Sequence, residues 1–145
     1  MSTCTVCGAV LLEGKTCETI FNEFMALEFM DPGYGRVHFL TFACYMVQHE
    51  RYSDAAYVWI QSALRNYLEK TYTIEWILQD AAQGPGSTKD ILRNQADRTL
   101  PKVEWTMTIA DVAAQMNDAE SYCKLIERWA HITLKEMGPL ILNKG

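Results

Sequence analysis

A chain of 145 residues, 49% of them apolar and 21% charged, has the balance of one ordinary globular domain able to bury a core. The formal charge of -5 argues against a nucleic-acid or anionic-membrane surface, because such partners require a basic face that releases counterions. No run of about 18 apolar residues suggests a membrane span, and the start MSTCTVCGAV has no basic-then-apolar leader, so a cytoplasmic protein is expected.

Along the chain the spacing predicts an all-α protein, a helical bundle carrying a short N-terminal segment like a zinc knuckle. Residues 1–16 form the knuckle, with Ala9-Val10-Leu11-Leu12 as a short strand. A first helix is predicted over 17–30, with 17, 21, 24 and 28 on one face, ended by Asp31-Pro32-Gly33. A second runs from about Gly35 to His49. Ser53 caps a third through Lys70 whose stripe Ala56, Ile60, Ala63, Leu64, Tyr67 faces inward, and a fourth covers Thr73 to Ala82. Gly84-Pro85-Gly86-Ser87 is a breaker inside a loop-rich stretch, 83–107. That stretch holds a possible helix from Lys89 to Asp97 and an extended piece at 99–103. Thr108 opens a short helix, and Asn117-Asp118-Ala119-Glu120 reads as a capping box for the last long one, stopped at Gly138-Pro139. With no repeat or second core evident, residues 1–145 are expected to form one domain.

Five cysteines without an export signal argue for reduced thiols, and three of them, Cys4, Cys7 and Cys17, fall within fifteen residues. Cys4-Thr5-Val6-Cys7-Gly8 is the turn that lets two thiolates face one metal ion. A redox turn would sit at a helix N-terminus instead, whereas a strand follows here. For the fourth ligand the remaining candidates are Cys44, Cys123, His38, His49 and His131. If the first two helices pair antiparallel, residues whose numbers sum to about 66 are neighbours: Cys17 with His49, Phe21 with Tyr45, Phe24 with Phe42, Glu28 with His38. His38 and His49 lie eleven residues apart, about 16 Å in a helix, so only one can share an ion with the knuckle. The expected site is Cys4, Cys7, Cys17 and His49 holding a structural Zn²⁺, with the thiolate of Cys17 favoured by its helix N-terminus. A plainer reading keeps Cys17 as a buried small residue and His49 as a cap for helix carbonyls.

Glu28 and His38, at the other end of the seam, could act as an acid–base pair or as a strut fixing the hairpin register, and the strut is favoured because no nucleophile is spaced to accompany them. Glu23 and Gln48 read as exposed or capping. Cys44, Cys123, His131 and the four tryptophans read as core, and Lys89, Arg93, Arg98 and Lys102, interleaved with acids, as a solvated face.

The segments CTVCG, CETIFNEFMALEFMDPGYG, VHFLTFACYMVQHERYS and VEWTMTIADVAAQMNDAESYCKLIERWAHITL resemble an uncharacterised family of small bacterial proteins, known only as a domain of unknown function. In that family's pattern a C-x-x-C-G knuckle, a helix-opening cysteine, a V-H-x-L-T segment and a Q-H pair recur. They fall here on Cys4, Cys7, Cys17, His38 and His49. A proline commonly follows the second histidine; Glu50 stands here, which would let the helix run on slightly. The resemblance implies the site and no activity. Three function classes stay open: a zinc-stabilised module that binds a protein partner, with the 84–104 loop as a candidate surface; a small metal-dependent enzyme using Glu28 or Glu23; and a thiol redox sensor built on Cys4 and Cys7.

Overall fold

A computed structural model describes residues 2–70, 73–83 and 102–138. The expected helix over 89–97 and the cations Lys89, Arg93 and Arg98 lie outside them. The protein is helical, with one small antiparallel ribbon, β1 (Ser2–Thr3) on β2 (Val10–Leu11), in the register Ser2 opposite Leu11. Seven helices follow among the described residues: α1 (Cys17–Met30), α2 (Pro32–Gly35), α3 (His38–Gln48), α4 (Asp54–Leu68), α5 (Ile74–Gln83), α6 (Ile109–Gln115) and α7 (Ala119–Glu136).

Local chemistry sets these boundaries. Thr16 and Thr19 form a reciprocal cap that starts α1 at Cys17. Asp31 ends α1 in extended backbone, and its carboxylate accepts from the Gly33 amide at 2.8 Å to open α2, with Pro32 pre-set for the first helical position. The linker between α1 and α3 is therefore a helical turn, and α3 begins at His38, three residues later than the spacing suggested. Gly35 is required at that corner, because a Cβ there would lie 2.8 Å from the Glu28 carbonyl oxygen. Ser53 caps α4 through the Ala56 amide as expected. The cap of α7 is Asp118 paired with Ser121, one residue beyond the predicted box, since Asn117 is already tied to the Ser121 hydroxyl.

The core gathers around α7. Its stripe Tyr122, Ile126, Trp129, Ala130 and Thr133 is fully buried and packs against α3, α4, α2 and α6. Trp129 donates its indole N–H to the Met107 carbonyl at 3.2 Å. Gln48, expected at the surface, is instead buried: its amide donates to the Met107 carbonyl (2.9 Å) and meets the Thr133 hydroxyl (3.1 Å), because the 107 segment and α7 close over the last turn of α3. Trp129 is the fully buried tryptophan, Trp59 and Trp105 are part-buried, and Trp76 is 45% exposed rather than core.

α1 and α3 pair in the predicted register at three of four positions. The Phe21 and Tyr45 rings stack at 4.0 Å, Glu28 reaches His38, and Cys17 meets His49 within one cluster. The middle pair differs. Tyr122 of α7 enters the seam and takes Phe24 edge-on at 5.2 Å, leaving Phe42 at the surface beside Phe21.

Candidate metal centre

Cys4 and Cys7 come from the turn between β1 and β2, Cys17 is the first residue of α1, and His49 caps the C-terminus of α3. Their four ligand atoms all lie within 4.8 Å of one another. The Cys7 and Cys17 sulfurs are 3.6 Å apart, and the Cys4 sulfur is 3.9 Å from His49 Nε2. A four-coordinate ion with metal–sulfur bonds near 2.3 Å sets its ligands about 3.5 to 3.8 Å apart, so the cluster is at, or within about 1 Å of, that tetrahedron. Three soft thiols and one imidazole are also the donor set of a structural tetrahedral site. The residues present fit a metal ion.

The knuckle is built by its backbone. The Cys4 amide donates to the Ala9 carbonyl (2.8 Å) and the Gly8 amide to the Cys4 carbonyl (3.0 Å), which puts Gly8 at φ +83°, a left-handed conformation that favours glycine. The Ala9 backbone also helps hold the Cys7 thiol down. Lys102 clamps the turn from outside, its ammonium donating to the Thr5 carbonyl at 2.8 Å. The histidine is aimed by its own helix: His49 Nδ1 donates to the Tyr45 carbonyl at 2.8 Å, which turns Nε2 toward the sulfurs, where it is free to bind a metal once it has lost its proton.

Burial and charge within the cluster divide its protons unequally. The Cys7 thiol is lowered to about 4, first by the hydrogen bond from Cys17 and further by His49. Cys17 is pushed up, by donating that same bond and by burial, which outweighs the helix N-terminus expected to favour its thiolate. Burial alone would depress His49, but its hydrogen bond and attraction to Cys7 prevail and raise it.

The remaining candidates lie elsewhere. Cys44 and Cys123 are buried as expected, the thiol of Cys123 donating to the Gly33 carbonyl at 3.2 Å. His131 is exposed on α7 rather than packed. Glu23 is exposed and paired with Lys15 at 3.0 Å. Glu28 and His38 do form the polar end of the seam: Glu28 Oε1 accepts from His38 Nδ1 at 2.8 Å, while Oε2 accepts from the hydroxyls of Thr41 (2.6 Å) and Tyr122. Thr41 was readable as one helical turn from His38. Tyr122, 94 residues away from Glu28, carried no such signal.

The sequence profile described as "Family of unknown function (DUF5946)" matches residues 2–138, and the chain belongs to that family. Neither the curated proteins nor the solved structures contain a match.

Proposed function

We propose, for a member of a family whose description names no activity, that this chain is a zinc-stabilised helical module in which Zn²⁺ bound by Cys4, Cys7, Cys17 and His49 is structural. The observation that carries the reading is the orientation of His49: Nδ1 is held by the Tyr45 carbonyl, so Nε2 completes a set of four ligand atoms within 4.8 Å. A complete Cys₃His shell leaves no open position for a substrate. The two carboxylates considered as helpers of a metal-bound water do not favour the enzymatic alternative, since Glu23 is engaged by Lys15 at the surface and Glu28 lies eleven residues, about 16 Å, along α1 from Cys17. The module's role would be to present a surface to a protein partner, and Phe29 and Met30, 92% and 81% exposed at the end of α1 far from the metal, supply an apolar one.

Metal content by mass spectrometry tests the site. About one zinc per chain is expected in wild type and in His38→Ala, with loss in His49→Ala; zinc-free wild type, or loss only in His38→Ala, would overturn it. In the same preparations Phe29→Ser with Met30→Ser should keep zinc while weakening any cross-linked partner, and an unchanged cross-link would discard that surface.

A further inference from the structure

The strut reading of Glu28 and His38 accounts for one nitrogen of the imidazole and leaves the other unexplained. Glu28 is a carboxylate with 2% of its side chain exposed, no lysine or arginine paired to it among the described residues, and three donors upon it. His38 itself is 59% exposed in its side chain. With Nδ1–H committed to Glu28, Nε2 is the acceptor of the ring's open edge. His38 lines a cleft of about 340 Å³ together with Gly35, Arg36, Phe39, Phe42, Tyr67 and Ile74, within the size range of small-molecule sites. The cleft is apolar apart from His38, Arg36 and the Tyr67 hydroxyl. A strut would need neither the exposed nitrogen nor the cleft.

We propose that this is a second site, in which His38 is the general base for hydrolysis of a small ester with an apolar acyl group seated among Phe39, Phe42 and Ile74. His38 Nε2 takes a proton from a water molecule as the water oxygen bonds to the ester carbonyl carbon. Arg36, held by its Nε to the Gly33 carbonyl at 3.0 Å, lines the same cleft. Collapse of the tetrahedral intermediate breaks the carbon–oxygen bond to the alcohol, and the imidazolium returns its proton to the departing alkoxide. The products are a carboxylic acid and an alcohol, and no external oxidant or metal is consumed. Glu28 is a positioning residue: it fixes the tautomer and steadies the imidazolium without itself gaining the proton. The site is independent of the metal centre, eleven residues away along α3, about 16 Å.

The test uses the full-length zinc-loaded chain and para-nitrophenyl butyrate, followed by release of nitrophenolate. Wild type should exceed an equal concentration of N-acetylhistidine by about a hundredfold or more. His38→Asn, whose amide can still donate to Glu28, should fall to the N-acetylhistidine rate with melting temperature and zinc content retained. Glu28→Gln should lower kcat about tenfold with KM held, a split that a merely structural role would not produce. If Glu28→Gln does not fold, Phe42→Ala replaces it, with KM expected to rise and kcat to hold. Wild type no faster than N-acetylhistidine, a rate unchanged in His38→Asn, or an unchanged KM in Phe42→Ala would each overturn the proposal; none of these outcomes bears on zinc content.

Discussion

His49 and the three thiols decide what the cluster can hold, and their protonation decides when. Cys7, lowered to about 4, is already a thiolate at neutral pH, while Cys17, raised, carries a proton that an incoming ion must displace, and His49, raised too, holds its second proton more tightly than a free imidazole does. Because bound metal and bound protons exclude each other there, affinity must rise with pH and fall as acid restores the protons. Zinc titrations in buffers of different ionisation enthalpy should show net proton release on binding, Cys17 among the sources, and the release should grow as the pH is lowered through the His49 titration. An affinity flat between pH 6 and 8 would mean that the ion does not use them. Cys44 makes a fair control: it is fully buried, its thiol pushed up to about 12 by burial, and it lies outside the cluster, so Cys44→Ser should leave the proton count untouched.

At the scale of elements, the end of α3 places His49. The helix stops at Gln48 and closes in a paired turn, the Arg51 amide reaching the Met46 carbonyl (2.9 Å) and the Glu50 amide the Val47 carbonyl (3.1 Å), with Glu50 at φ +57°. The expectation that Glu50 lets the helix run on is therefore corrected: the residue takes the left-handed position that glycine usually fills. A left-handed non-glycine costs about 1 kcal/mol, partly offset in a glycine variant by the greater freedom of the unfolded chain. Glu50→Gly should raise stability by about 0.5 kcal/mol in denaturant titrations. Glu50→Pro, which fixes φ near −65° and removes the bonded amide, should lower it by about 2 kcal/mol or more and loosen zinc with it. Equal stability of both variants would contradict this geometry. The hairpin itself was legible because two helices joined by a short linker leave one register for Cys17, Phe21 and Glu28 against His49, Tyr45 and His38. What escaped was set by distant chain: Tyr122 displacing the Phe24–Phe42 pair, and Met107 with Thr133 burying Gln48, contacts for which local periodicity holds no information.

At the scale of the whole molecule the metal cluster sits at one edge of the apolar core, which it joins through Cys7, Cys17 and His49. The core centred on Trp129, Ile126 and Tyr122 draws on α1, α3, α4, α6 and α7, and the ligands Cys7 and Cys17 are buried at its edge. The knuckle is held otherwise by a two-residue ribbon, by Lys102 on Thr5, and by the small apolar residues Ala9 and Leu11. A ribbon of that length is not stable by itself, so the ligands must supply most of what fastens residues 2–16 to the helices. Chelation should therefore detach the knuckle without melting the bundle. Metal present at a hundred times its dissociation constant adds about 2.7 kcal/mol to the folded state, and its removal should lower the melting temperature by roughly 5 to 10 °C while helical circular dichroism at 25 °C barely changes. Amide hydrogen exchange locates the effect: the amides of Cys4 and Gly8, bonded within the turn, should lose protection on chelation, while those of Ile126 and Trp129 keep it. Loss of helical signal together with zinc would instead make the metal part of the folding nucleus of the bundle, and α1 with α3 would then owe their pairing to the ion rather than to Phe21, Tyr45 and Tyr122.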